Sequence, residues 1–177
     1  MSKATKVDPY ARARELLEKQ AIKSFPVPVE KIAKALGAQI RFAPLDDELS
    51  GMVYVKEGVP IIGVNSLHHP NRQRFTIAHE IAHMELHLEM ITTSVHVDKK
   101  FIGLMRDSNS STGSEEIEIE ANQFASELLM PQKLLEAELE GKQIDIDDDG
   151  PIEELAKKFR VSKQALLYRI GNRGHKE

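Results

Sequence analysis

The sequence predicts an α+β fold, a small sheet packed on helices, and three observations carry that expectation. Apolar residues recur at helical spacing in several separate stretches, short β-branched runs cluster between Gln39 and Val64, and glycine, proline or polar clusters punctuate the joins. Taken in order, Tyr10 to Gln20 has apolar positions at helical spacing with charges between them, and Pro26-Val-Pro28 stops it. Val29 to Leu36 repeats the period and ends on Gly37, a residue suited to a left-handed C-terminal cap. Gln39-Ile-Arg-Phe42, Gly51-Met-Val-Tyr-Val55 and Val59-Pro-Ile-Ile-Gly-Val64 read as strands, the last two joined through Lys56-Glu-Gly58 as a hairpin. After His68-His69-Pro70-Asn71, read as a loop pair of histidines before a proline, Arg72 to Leu88 forms a long helical stretch with no internal glycine or proline.

The pattern dissolves from Thr92 to Gly113, whose Asp107-Ser-Asn-Ser-Ser-Thr-Gly113 is a polar loop by composition and a candidate gate. Helical period resumes from Ser114 to Met130, and Pro131 starts a further short helix. The acidic stretch Asp145 to Pro151 reads as an exposed connection, beyond which Pro151 to Ile170 spells helix, tight turn, helix, with Ser162 placed to cap the second. The expected organisation is therefore a main domain over residues 1–140 and a helix-turn-helix-like segment over 151–177 packed on it.

Composition narrows the chemistry. At 177 residues the chain can bury a real core. It holds no cysteine, which excludes disulfides, thiolate catalysis and thiolate zinc clusters, so any metal must be held by histidine, carboxylate and water. No apolar run is long enough to span a bilayer, and the expectation is a soluble, cytoplasmic protein without a membrane partner. The net charge of −4 argues against broad electrostatic attraction to nucleic acid, although residues 151–177 carry +4 and residues 1–150 carry −8.

The most informative segment is Arg74-Phe-Thr-Ile-Ala-His79-Glu80-Ile-Ala-His83-Met-Glu-Leu-His87. Histidines four apart on a helix share a face, so both rings reach one metal ion, and Glu80 becomes the candidate general base for a water there. Apolar flanks (Phe75, Ile77, Ala78, Ile81, Ala82) turn the helix into the fold, where imidazoles need partners. The acidic helix after Gly113 offers a third ligand from Glu115, Glu116, Glu118, Glu120 or Glu127. Ile117, Ala121, Phe124, Ala125 and Leu128 form its apolar stripe. Glu120 sits at the stripe's edge and Glu118 nearer the solvent face, so periodicity selects Glu120, with Glu116 as runner-up.

Gly51-Met-Val-Tyr, Ile61-Ile-Gly-Val-Asn65, the His79 to His83 motif with Leu86-His87, and Glu120-Ala-Asn-Gln-Phe-Ala-Ser-Glu-Leu-Leu-Met-Pro131 together resemble the ImmA/IrrE metallopeptidase family over roughly residues 10 to 170. The family more often has Glu-Leu-Gly-His where this chain has Glu80-Ile81-Ala82-His83, a change that favours the helix and leaves the chemistry intact. The resemblance implies a zincin-like fold and a zinc ion, with manganese as the other candidate, on His79, His83 and Glu120, with Glu80 as the catalytic carboxylate. It also implies an endopeptidase that cleaves a protein partner, a helix-turn-helix repressor or antitoxin, and so relieves transcriptional control after stress. Tyr54 and His87, with His96 and Tyr168 behind them, are helpers for the carbonyl oxygen on chemistry alone. The rival reading is a non-proteolytic regulator that binds a partner repressor and touches DNA through Ser162, Lys163, Gln164 and Arg169. Packing of Leu155, Phe159, Leu166 and Ile170 on the main domain is preferred over that DNA contact.

Overall fold

A computed structural model describes residues 7–93, 95–99, 113–141 and 149–172. Helix α1 (Pro9–Lys19) starts where the sequence provides for it: the Asp8 carboxylate accepts from the Tyr10 N–H at 3.0 Å, and Pro9 occupies the first turn. Helix α2 (Val29–Ala35) closes at Gly37, whose φ of +85° only glycine adopts cheaply. Strands β1 (Gln39–Ala43), β2 (Leu49–Lys56) and β3 (Val59–Asn65) follow. Glu57 and Gly58 both have positive φ between the paired Lys56 and Val59, the twist of a two-residue hairpin turn.

The sheet gains a fourth strand, β4 (His96–Lys99), inside the stretch expected to lack pattern, preceded by α4 (Leu88–Thr93). Strand order is β1-β3-β2-β4, with β1 parallel to β3 and the other pairs antiparallel. The rest of the expected loop, from Lys100 to Thr112, and most of the acidic connection lie outside the described residues.

Helix α3 (Pro70–Leu86) runs between the sheet and α5 (Gly113–Leu129). Every residue from Arg74 to Met84 is buried, because one face meets the sheet and the other meets α5. The histidine at position 69, expected in a loop, instead starts this helix. Its Nδ1 accepts from the Asn71 N–H at 3.2 Å and caps α3 ahead of Pro70.

The chain ends with α6 (Gln132–Leu139), α7 (Asp149–Phe159) and α8 (Lys163–Gly171). Ser162 caps α8 by accepting from the Ala165 N–H at 3.1 Å. Ile152, Leu155, Phe159 and Leu166 join one buried cluster with residues of α1, α2, α3 and α5. Polar ties cross the same boundary: Asn71 Nδ2 donates to the Val161 carbonyl at 3.2 Å and Arg74 Nε to the Arg160 carbonyl at 3.3 Å. Of the four residues offered for DNA, Ser162, Lys163 and Arg169 have partners in the fold and Gln164 is exposed. Lys163 pairs with Asp149, and Arg169, only 4 % exposed, is ion-paired with Glu127, itself 1 % exposed. Among the described residues no helix is long and apolar enough to cross a membrane.

Candidate metal centre

The site is assembled from α3, α5 and β4. On α3, His79 and His83 are one turn apart and 1 % and 0 % exposed, and their Nε2 atoms stand 3.1 Å apart. His79 Nδ1 lies 2.9 Å from Asn122 Oδ1 on α5. An amide oxygen can only accept, so Nδ1 carries the proton and Nε2 turns a lone pair inward.

The carboxylate that reaches these rings is Glu118. Its Oε2 is 3.1 Å from His79 Nε2 and its Oε1 is 3.6 Å from His83 Nε2. Glu118 and Asn122 are four apart on α5, so one face of that helix supplies both the carboxylate at the centre and the amide behind His79. A fourth donor arrives from β4: His96 Nε2 lies 3.3 Å from Glu118 Oε1, and its ring centroid is 3.9 Å from that of His83. All four donor atoms fall within 4.8 Å of one another.

These spacings suit a divalent ion. Bonds of about 2.0–2.1 Å in a tetrahedral shell place neighbouring donors about 3.3–3.4 Å apart, against 3.1, 3.1 and 3.6 Å within the triangle of His79, His83 and Glu118. Nitrogen and oxygen donors without a thiolate are a set that zinc and manganese both accept.

Burial favours the neutral ring that coordination needs at His83. Burial, reinforced by the charges of His79, His96 and His87, pushes the His83 imidazole well below its usual range. Burial alone would raise the Glu118 carboxyl, but whenever the neighbouring rings carry a proton, the hydrogen bond with His79 and the charges of His79, His96 and His87 outweigh it and hold the carboxyl low.

Glu80 is fully buried beside the pair, facing β2. The sheet can approach because Gly51 stands there: a Cβ would overlap Thr76 Cγ2, lie 2.7 Å from the Gly63 carbonyl oxygen and stand 3.4 Å from Glu80 Oε1.

Several expected site residues stand elsewhere. Glu120, the expected third ligand, turns to His87, with Oε2 3.0 Å from Nε2. Glu116 is exposed, and Glu127 is buried against Arg169. Choosing by the apolar stripe favoured the more buried edge of α5, whereas the carboxylate beside the rings comes from the wetter edge, where Glu118 is 36 % exposed. Tyr54 does not face the site. Gly51 and Val53 point towards α3, so alternation puts Tyr54 with Met52 on the far side of β2. His87 lies behind His83, its Nδ1 3.1 Å from His83 Nδ1, on the side away from the paired Nε2 atoms. Tyr168 is on α8, near Tyr10. Of the four rings offered as helpers, His96 is the one brought to the centre, because it pairs in register with Val53 and shares its inward face.

Comparison with known proteins identifies a family and a shared fold. Residues 33–171 match the profile of the IrrE N-terminal-like domain, a peptidase family. Among solved structures, a Mycobacterium tuberculosis transcriptional regulator superposes with a TM-score of 0.65 at 18 % identity, over 95 % of this chain and 48 % of that one. At that identity the likeness is one of fold, and the chain spans about half the length of that regulator. Comparison with curated proteins finds no significant match.

Proposed function

This chain belongs to the family of IrrE N-terminal-like peptidase domains, and from that premise we propose that it is a metal-dependent endopeptidase with His79, His83 and Glu118 as metal ligands. The observation that carries the reading is the triangle of donors at 3.1, 3.1 and 3.6 Å with a buried glutamate next to it. The ion, zinc first and manganese second, would supply Lewis-acid polarisation of a peptide carbonyl and a more acidic water.

The chain's own groups do the rest. Glu80 Oε takes the proton of the attacking water and delivers it to the departing amide nitrogen, a role for a carboxylate kept away from bulk solvent. Asn122 fixes the tautomer and tilt of His79. His96 Nε2, on the edge strand, stands at the carboxylate side of the centre, where, left unligated and protonated, it would donate to the carbonyl oxygen as that gains charge. Tyr54 and His87 drop out of that role by position.

The substrate we assign is a DNA-binding repressor or antitoxin, whose cleavage lifts transcriptional control under stress in the cytoplasm. The resemblance of the sequence motifs supports that class. The solved structure of like fold is itself called a transcriptional regulator, a title that belongs to that protein. Direct DNA contact by this chain is not part of the proposal, since Ser162, Lys163 and Arg169 already serve the fold.

The test incubates purified protein with the repressor encoded beside its gene. Wild type should hold stoichiometric metal and generate a new N-terminus on the repressor, with chelator abolishing cleavage. Glu80→Gln should keep the metal and lose about 10²- to 10⁴-fold in rate. Tight repressor binding with no new N-terminus, unchanged by Glu80→Gln, would instead establish the non-proteolytic regulator.

A further inference from the structure

Behind His83 runs a second line of contacts that the ligand triangle does not use. His83 Nδ1 lies 3.1 Å from His87 Nδ1, and His87 Nε2 lies 3.0 Å from Glu120 Oε2. The line is sheltered: the side chains of His83, His87 and Glu120 are 0 %, 9 % and 16 % exposed.

Only one placement of protons on neutral rings satisfies both contacts. For His83 Nε2 to offer a lone pair to the centre, its proton must sit on Nδ1, which then donates to His87 Nδ1. His87 thereby accepts at Nδ1 and carries its proton on Nε2, where the Glu120 carboxylate accepts it. Were the proton of His87 on Nδ1, that nitrogen would donate to His83, force the His83 proton onto Nε2, and point a hydrogen at the ligand position.

We infer that Glu120 and His87 are positioning residues that set the tautomer and ring orientation of His83 for metal binding, Glu120 acting through His87. The inference rests on the metal-site reading above. It gives the two ligating histidines unlike supports. His79 leans on a neutral amide, whereas His83 is backed by a carboxylate relayed through a second ring. A partner behind a ligand histidine fixes its tautomer and ring orientation, and removing such a partner costs about 10- to 100-fold in metal affinity.

The experiment is competition titration of Zn²⁺ against a chromophoric chelator with the full chain, its Glu120→Gln, Glu120→Asp and His87→Ala variants, and the double variant. Cobalt spectra would be read in parallel. Glu120→Gln should weaken zinc about tenfold or more without changing the cobalt bands, and Glu120→Asp should recover part of the loss. In the His87→Ala background, Glu120→Gln should cost distinctly less, since its route to the metal is gone.

The inference is overturned if Glu120→Gln binds zinc within about twofold of wild type, or loses equally in both backgrounds. It is also overturned if Glu120→Gln abolishes binding and shifts the cobalt bands, which would make Glu120 a ligand. Should His87→Ala fail to fold, the Gln and Asp variants at position 120 still decide it by loss and rescue. Wild type that binds no zinc would defeat the metal-site reading itself, a result distinct from variants that match a zinc-binding wild type.

Discussion

Replacing Arg169 by methionine should unfasten the C-terminal helices. The guanidinium is ion-paired with Glu127, donates to the Met130 carbonyl from Nε at 3.2 Å, and lies 5.6 Å over the Tyr10 ring centroid. With the side chains of the pair 4 % and 1 % exposed, water cannot replace the lost partner, and Glu127 is left as a buried, uncompensated charge. Breaking such a pair from one side costs about 3–5 kcal/mol. For a chain of this size that converts to a fall in melting temperature of roughly 6–20 °C, at about 2–4 °C per kcal/mol. Arg169→Met/Glu127→Leu should regain most of the loss, because the stranded charge goes too. Recovery stays incomplete, since Glu127 Oε1 also accepts from the Gln132 N–H at 3.1 Å where α6 begins, a cap-like bond of about 1 kcal/mol. Thermal melts followed by circular dichroism at low and high salt give the answer, and a buried pair should respond little to salt. If Arg169→Met melts within about 2 °C of wild type, the pair does not anchor α8 and the reasoning about the C-terminal packing is wrong.

Two further outcomes are expected. Gly51→Ala should destabilise by about 1–3 kcal/mol, because its Cβ meets Thr76 and the Gly63 backbone. Gly63→Ala should cost less, its Cβ meeting the flexible Met52 side chain at 2.9 Å; melts that reverse this order would contradict the packing described. Chelator-stripped protein should lose stability as pH falls below about 6.5, the ordinary histidine value, because the unfolded chain then takes up a proton that buried His83 refuses. The slope for that one group is up to about 1.4 kcal/mol per pH unit, and Glu118, held below 4.5, adds its own loss only at more acid pH. Denaturant midpoints at pH 7 and 5 that match, or that differ no more in wild type than in His83→Gln, would count against it.

Much of this fold can be read from the chain because local signals agree with tertiary ones. Ser162 caps the helix it precedes, Gly37 ends α2, and Glu57-Gly58 turns the hairpin. The histidine pair is legible for the same reason, since four-residue spacing on a long uninterrupted helix fixes its geometry. The carboxylate beside the rings is harder. Hydrophobic periodicity reports what is packed, and a carboxylate that meets the rings at the solvent edge is invisible to it. The available signal was Asn122, a polar residue buried four positions after Glu118, which marks the face of α5 that meets the rings. His96 was hidden because a four-residue edge strand carries too little alternation to stand out. Tyr54 needed the face of β2 to be known, which Gly51 reveals only once its neighbours are seen.

The central claim is tested most directly by zinc content and affinity in Glu118→Ala beside Glu120→Ala. A centre built on His79, His83 and Glu118 predicts that the first variant loses stoichiometric zinc, while the second keeps it with about 10- to 100-fold weaker binding. Full zinc retention in Glu118→Ala, with loss in Glu120→Ala, would contradict the account.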